Sequence, residues 1–457
     1  MPNFTPGEPY LTKQEAVRVN QIDEWQLLYD NSYDDLTLLV TSPDQVKKEG
    51  DDWWLQLGAA LPGLISKVSG DFLFGEPPIV EGKDDANKEF IENYFSDVFI
   101  QFLYEAAITQ SSDGGLILKV FTIQDPTDPA KIIPRIQIIS QRCYFPEFAR
   151  HTKEILAVDL LTTEHKDRDT DWLLREHHEP GTILFEEYII KKGTGVIISL
   201  ESRREETTEL DIIPIKYLPN FRKLGEFWGR SDYAGIEGIF VAINRRLTQN
   251  DHNLKFHGAP KLMGPGQGGG ILGKDGQPIK KGVALDYLAL KSSQVGAKSA
   301  EYKYLQQQLS TKEDLETIRE NLKFVFLLSD VSPDVFGLGE GAAESGRALR
   351  LRLERTLTMI RRKAKLWKIS LNWALDLALF LLGVDPNYTM TFQDGLATDL
   401  DELIDQQIQL VNNGLTTQKD ALKAVHGYDD KTADEKLEII RQDSVSKNEA
   451  LNAGISI

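Results

Sequence analysis

Residues 329–349 read SDVSPDVFGLGEGAAESGRAL, and this stretch decides the architecture because it interrupts two helical patterns. Pro333 lacks a backbone donor, and Gly337, Gly339, Gly341 and Gly346 lose more conformational freedom in a helix than other residues do. On the upstream side, Ser310-Thr311-Lys312-Glu313-Asp314 offers capping residues for a helix over 310–330. On the downstream side, Leu349, Leu353, Leu357, Ile360, Ala364 and Trp367 step by three or four, which predicts one long helix over 345–383. Arg347, Arg350, Arg352, Arg355, Arg361, Arg362, Lys363, Lys365 and Lys368 surround that stripe, with Glu354 as the one acid among them.

Further upstream, a helix is expected over 229–255, where Ile236, Ile239, Phe240, Ile243, Leu247 and Leu254 form a stripe. Between it and the 310–330 helix lies a glycine-rich segment with short strand-like runs, which reads as a small β excursion from a helical hairpin. From Gly115 to Pro219 the pattern alternates and is rich in β-branched residues, as in LILKVFTIQ, EILAVDLLTTE and TILFEEYIIKK. These are successive short strands of a meander or sandwich. The first part is helical. Thr12 with Glu15 forms a capping box, Ile65, Val68, Phe72 and Leu73 share a face that ends at Gly75-Glu76-Pro77-Pro78, and one helix is expected over 85–111. The tail from Asp399 reads as helix–turn–helix, with Gly414 as a C-cap, Thr416 or Thr417 as the next N-cap, and a last charged helix that frays into a polar end.

The bulk chemistry excludes several function classes. The chain carries 70 acids against 52 bases, a net charge of −18. That balance opposes a protein that grips nucleic acid over its whole surface, because such binders carry a basic footprint. It permits one that touches DNA locally and lets it slide. Cys143 is the single cysteine, so no intrachain disulfide or cysteine metal cluster can form, and a reducing compartment is expected. The N-terminus MPNFTPGEPYLTKQEA lacks a signal-peptide pattern, and the apolar run 371–384 is interrupted by Asn372 and Asp376 and is too short for a membrane span. A soluble, intracellular chain is expected.

No catalytic motif survives inspection. Gly268-Gly269-Gly270-Ile271-Leu272-Gly273-Lys274 fits a phosphate loop, but Asp275 stands where a Ser or Thr must hold Mg²⁺. Gly276 and Pro278 then prevent the helix whose N-terminus would bind the anion. Asp167-Arg168-Asp169-Thr170-Asp171 starts like a calcium loop, but Trp172 and His178 occupy the glycine and glutamate positions, so a solvated turn is expected. His177-His178 with Glu176 and Glu179 lacks metal-ligand spacing and reads as exposed polar residues at a strand end; Cys143 reads as a small buried residue. No cofactor and no metal are expected. The basic helix reads chiefly as a buried apolar stripe whose cations pair with acidic neighbours, with a DNA-facing or subunit-interface role as the alternative.

Taken together, the order of these elements resembles the portal proteins of tailed bacteriophages. The residues that carry the resemblance are LISKVSGDFLFGEPPIV near the N-terminus, the two helices that bracket the glycine-rich insert, and Val331-Ser332-Pro333-Asp334-Val335-Phe336-Gly337 leading into Ser345-Gly346-Arg347-Ala348-Leu349. The last is NNGLTTQKDALKAVHGYDDKTADEKLEIIRQD in the tail. The resemblance implies an α+β fold, mainly helical, with a β-rich wing over 1–228, stem helices at 229–255 and 310–330, and a clip at 256–309. It further implies a tunnel loop at 331–344, a long wing helix at 345–398 and a helical crown at 399–457. It implies a ring, usually dodecameric, that conducts double-stranded DNA at one capsid vertex during packaging and ejection. Implied partners are the terminase and the head-completion adaptor on the clip, and capsid and scaffolding proteins around the ring. No membrane and no catalysis are implied, with assembly in the host cytoplasm and residence in the virion. The residues assigned on this basis are Val331, Ser332, Pro333, Asp334, Val335, Phe336, Gly337, Gly339 and Gly341 for the channel loop. Lys261, Lys274, Lys280 and Lys281 are assigned to the clip tip, and Arg347, Arg350 and Arg361 to interface or DNA-facing contacts.

The competing reading, a nucleotide-dependent enzyme using 268–274, has a direct test. We expect the purified chain to release phosphate from ATP no faster than buffer does, and Lys274→Ala to change nothing; turnover that this substitution abolishes would establish the enzyme instead.

Overall fold

The computed structural model of this protein describes residues 2–31, 58–124, 132–152, 154–208, 210–257, 261–265, 287–290, 303–305, 311–339, 346–393, 400–426, 428 and 430–452. Two compact units divide the chain. The larger holds Met1–Leu338 with Arg355–Asp394, and the smaller holds Gly339–Glu354 with Gly395–Ile457.

The larger unit begins with α1 (Lys13–Asp30), capped by the Thr12 hydroxyl, which accepts from the Glu15 backbone N–H. Glu15 uses its own carboxylate on Arg18 at 2.9 Å, so only half of the expected capping box forms. Next come α2 (Leu61–Phe74), β1 (Ile79–Gly82), α3 (Asp85–Tyr94) and α4 (Asp97–Asp113). The single helix expected over 85–111 is therefore two. Ser96 breaks it because its hydroxyl accepts from the Phe99 N–H and starts a second helix, a local bond that competes with continuation.

The strands follow in chain order: β2 (Gly115–Gln124), β3 (Ile132–Ser140), β4 (Tyr144–Phe148), β5 (Ile155–His165), β6 (Thr170–Glu179), β7 (Thr182–Lys191), β8 (Val196–Thr207) and β9 (Ile215–Pro219). β4 to β8 make a five-stranded antiparallel meander, and β2 pairs antiparallel with β3 and β9 in a second sheet. The expected meander and the expected sandwich are both present. Ile117 and Ile215 of the smaller sheet share a core with Tyr144, Val158 and Leu160 of the larger one. The opposite face of the meander buries Phe145, Leu161, Leu173, Tyr188 and Ile190 under the N-terminal segment and Val19 of α1. Cys143 closes a short 3₁₀ turn before β4 and is half-buried, not enclosed as expected, with its thiol pushed up by burial.

The pair His177-His178 corrects a second expectation. Both lie in β6, a central strand, and His178 is fully buried while His177 is mostly covered. Asp167 does form the expected exposed turn, its carboxylate accepting from the N–H groups of Asp169 and Thr170. His178 faces the smaller sheet and contacts Glu176 at 3.1 Å; Glu176 also pairs with Lys119 of β2. Burial alone would raise the Glu176 carboxyl, yet the His178 and Lys119 contacts hold it at about 2. On the other face, Arg175 bridges Asp159 and Glu186 at 2.7 Å each, and His177 bonds Asp159 at 2.8 Å. The Asp159 contact raises the His177 pKa, while burial lowers that of His178.

Beyond β9, residues 220–236 form turns, and α5 (Glu237–His257) starts eight residues later than expected from the stripe. The reason is a close approach: a side chain on Gly229 would meet the Gly114 carbonyl at 2.1 Å, and Phe221 bridges Arg230 in extended form. The insert holds a small sheet in which β10 (Lys261–Pro265) pairs parallel with β11 (Tyr287–Leu290) and antiparallel with β12 (Lys303–Leu305). α6 (Thr311–Leu328) and α7 (Gly346–Leu381) follow, close to the expected bounds. β13 (Tyr388–Thr391) then pairs with β1, a partnership across some 300 residues that sequence pattern does not reveal.

α7 is the pillar of the main core. Trp367, Leu371, Ala374, Leu375 and Ala378 are fully buried against α2, α4 and α5 residues, with Trp367 edge-on to Phe74 at 5.0 Å. Through this apolar body runs a polar spine. Lys363, 5% exposed, pairs with Asp232 and donates to the Ser69 hydroxyl at 2.8 Å. Asp232 also accepts from Ser111 at 2.6 Å and Asn220 at 2.8 Å; Trp367 Nε1 donates to Gln110 at 2.7 Å.

The smaller unit contains α8 (Leu400–Asn412), α9 (Gln418–His426) and α10 (Asp430–Asn452). Gly414 takes φ +69° at the α8 terminus, and Thr417 caps α9 by accepting from the Asp420 N–H at 3.1 Å, both as expected. Ile404, Ile408, Val411, Leu422, Val425 and Leu437 line the apolar groove between these helices.

Two stability outcomes follow from the buried charges. Lys363→Met leaves Asp232 buried without its cation and should cost about 3–5 kcal/mol in chemical denaturation. Adding Asp232→Asn should recover part of that loss. The raised His177 pKa contributes stability that is complete below about 6.5, the unfolded value, and disappears as pH rises through the folded pKa. His177→Gln should therefore lower the melting temperature more at pH 6 than at pH 9.

Candidate functional site

The segment between α6 and α7 concentrates the residues assigned to a channel loop, and the structure gives its root a defined shape. After Leu328 the chain turns at Asp330, which adopts φ +59°, a conformation that costs a non-glycine residue energy unless neighbours fix it. Those neighbours come from α7. Arg355 Nε and Arg362 Nη2 reach the Asp330 carboxylate at 2.8 and 3.0 Å, and the Thr356 hydroxyl, fully buried, accepts from the Ser332 N–H at 2.8 Å.

Val331 is 2% exposed and belongs to the main core; Ser332 is buried too. Pro333, Asp334, Val335 and Phe336 form one turn of 3₁₀ helix. The Ser332 hydroxyl caps it by accepting from the Asp334 N–H, and Gly337 ends it at φ +67°. Val335 and Phe336 pack against the core, with the Phe336 ring 5.5 Å from that of Phe326. The first half of the 331–344 segment is thus a capped turn packed on the core, which its proline and serine favour. Gly337 and Leu338 are exposed and Gly339 is half-buried; Gly341 lies outside the described residues.

The other assigned residues are placed unevenly. Lys261 is the first residue of β10, opposite Leu305; Lys274, Lys280 and Lys281 lie outside the described residues, as does the whole 268–274 loop. Arg347 sits in the first turn of α7, where its side chain is outside the described residues. Arg350 and Arg361 are exposed on the same helix. Among the described residues, those brought together are Val331 to Gly337, in the capped turn at the root of the segment.

The cations that hold the segment are Arg355 and Arg362, while Lys363, one residue on, fixes α7 to Asp232 and Ser69; sequence reasoning left all three among the flanking bases. A signal was available. Arg355 and Arg362 are seven residues apart, hence on one helix face, and Lys363 falls on the apolar stripe three residues after Ile360 and four before Trp367. Beside them opens a cavity of about 440 Å³, lined in part by Arg222, Arg230, Asp232, Asp330, Arg362 and Lys363. Its cations are mostly engaged: Arg230 with Glu226, Arg362 with Asp330, and Lys363 with Asp232. Three of its four bases are thus neutralised by acids of the same chain, and these pairs tie the turn segment after β9, the Asp330 turn and α7 together. Among the described residues no cluster of His, Cys, Asp or Glu is arranged to hold a metal, and no helix is long and apolar enough to cross a membrane.

None of the curated proteins matches this chain. Among solved structures it is similar to a chain of the virion of a native gene transfer agent (GTA) particle, at 12% identity and TM-score 0.47, covering 81% of this chain and 91% of that one. It is also similar to a chain in the neck of an empty GTA particle computed with C6 symmetry (14% identity, TM-score 0.45, 80% and 90% covered). A third likeness is to the neck of a native GTA particle computed with C12 symmetry (12%, 0.46, 80% and 89%). The profile of the family described as "Phage portal protein, SPP1 Gp6-like" matches residues 10–447. That match runs from the N-terminal residues before α1 into α10, through both units and the insert, and the chain belongs to the phage portal protein family.

Proposed function

We propose that copies of this chain close into a ring, usually of twelve in such proteins, that conducts double-stranded DNA through one capsid vertex during packaging and ejection. The family match over residues 10–447 carries this reading. In it, 1–228 is the wing, α5 and α6 are the stem, and the three-stranded insert over 256–309 is the clip that docks the terminase and later the head-completion adaptor. Residues 399–457 are the crown, and capsid and scaffolding proteins surround the ring as it assembles in the host cytoplasm.

The physical chemistry supports a conduit over a clamp. Each phosphate that a protein neutralises adds affinity through counterion release, so a bore that paired many phosphates would hold its DNA. This chain is acidic by 18 charges, and Arg355, Arg362 and Lys363 of its basic helix are turned to acids of the same chain. The root of the 331–344 segment is fixed in the core while Gly337 and Leu338 are exposed, which suits a loop that presents its far end to DNA from a rigid base. The work is positional and needs no active-site chemistry.

Native mass spectrometry and negative-stain images of the purified chain test the reading. Closed rings are expected; a monomer under every condition of salt and concentration would sink it. Deleting residues 258–298 should then leave ring formation intact and remove terminase binding.

A further inference from the structure

The helices α5 and α6 carry outward faces that no described residue of the chain covers. On α6, Ile318, Val325 and Phe326 are buried, whereas Glu313, Glu316, Glu320, Phe324 and Leu327 recur at three- and four-residue steps on the opposite face and are all exposed. Phe324 and Leu327 are 53% and 52% exposed, which is a large apolar surface to leave in water. Glu313 and Glu316 form no ion pair among the described residues, and Glu320 reaches only Lys323 on its own helix.

On α5 the pattern is the complement. Ile236, Phe240 and Ile243 face the core, and the outward face runs Gly238, Val241, Ala242, Arg245 and Gln249. Gly238 has open space where a side chain would stand, Val241 and Ala242 are small and half-exposed, and Arg245 is exposed with no ion pair among the described residues. The two helices run antiparallel: Arg246 meets Asp314 near the insert, while Ile243 and Ile239 share the core with Val325 and Leu322. Since α5 and α6 already pack through their inner faces, these outer faces cannot meet within one copy.

We propose that the outer face of α6 on one copy docks on the outer face of α5 on the next, so that this pair of faces is the stem junction of the ring. The occupant is a second copy because the two faces match in order. From the core end toward the insert, α6 presents Leu327 and Phe324, then Glu320, then Glu316; α5 presents Gly238, Val241 and Ala242, then Arg245, then Gln249. One helical turn, about 5.4 Å, separates the apolar step from the charged step on each helix. The aromatic and leucine side chains therefore fall on a flat, small-residue surface at the same level at which Arg245 meets Glu320. The contact is heterologous, with two different faces, as a closed ring of more than two copies requires. It rests on the ring proposed above.

A pair of charge-reversed chains tests it. Arg245→Glu makes both faces acidic, and Glu316→Arg/Glu320→Arg makes both basic. Each chain alone should lose at least ten-fold in the fraction that sediments as rings at 0.15 M salt. Mixed in equal amounts they should form rings again with copies alternating, because every junction then joins an acidic face to a basic one. All the altered side chains are exposed, so the melting temperature of each variant should stay within a few degrees of that of the wild type. If either reversed chain assembles alone as the wild type does, the faces do not meet and the proposal is overturned. Loss of assembly that mixing does not restore, with melting unchanged, overturns it equally. A wild-type chain that forms no ring removes the ring reading itself, which the reversal experiment alone does not touch.

Discussion

The buried pair between Lys363 and Asp232 is the contact on which the main body depends. Two ions taken out of water cost several kcal/mol each, and the attraction between them offsets that only when further hydrogen bonds satisfy the remaining lone pairs and protons. Here they do: Ser69 takes the lysine, and Ser111 and Asn220 donate to the aspartate. These partners come from α2, α4, the turn segment after β9, and α7, so the requirement fixes four parts of the chain at once. An apolar core alone would tolerate sliding of α7 by a turn, because Leu, Ile and Ala recur along it at helical spacing. The polar spine admits one register.

That register positions everything at the break between α6 and α7. With α7 fixed, Arg355, Thr356 and Arg362 stand where Asp330 and Ser332 need them, and the positive φ of Asp330 is held by its partners. Both arginines are about half exposed, so each ion pair adds little stability. Their effect is geometric: they set the direction in which the chain leaves α6. The capped 3₁₀ turn then carries that direction to Gly337, where glycine lets the backbone reverse hand.

What the sequence revealed follows from how local each determinant is. The ends of α1, α8 and α9 were legible because Thr12, Gly414 and Thr417 act within one turn of their own position. The long α7 was legible because its stripe is continuous. The β1–β13 pair was not, since Ile79 and Thr391 are joined only by the tertiary fold. β6 was misread for a different reason. Its WLLREHHE run buries charge on both faces, Arg175 and His177 on one and Glu176 and His178 on the other, and a strand that buries ion pairs on two sides shows no polar alternation to find. At the candidate site, the Val331–Gly337 position was legible from its breakers, but its attachment was not. Val331 is apolar in a polar stretch, a hint of burial that the glycines around it obscured. The bases of α7 could be counted from sequence, yet only the acids brought near by folding separate Arg355 and Lys363, which hold structure, from the residues that remain at the surface.

The acidic total places a constraint on assembly that the local pattern resolves. Copies that each carry a charge of −18 repel one another at long range, and that repulsion is screened over about 8 Å at physiological salt. A junction between such copies must therefore be short-ranged and must find base on one side. The bases of α7 cannot supply it where they are already turned inward to Asp330 and Asp232. Arg245 on α5 is outward and unpaired among the described residues, and the acids of α6 are the complement at hand. In the ring proposed above, an excess of acid over the chain as a whole would serve two ends: long-range repulsion would keep separate copies apart until the matched faces meet, and the assembled ring would hold little attraction for a DNA passing through it.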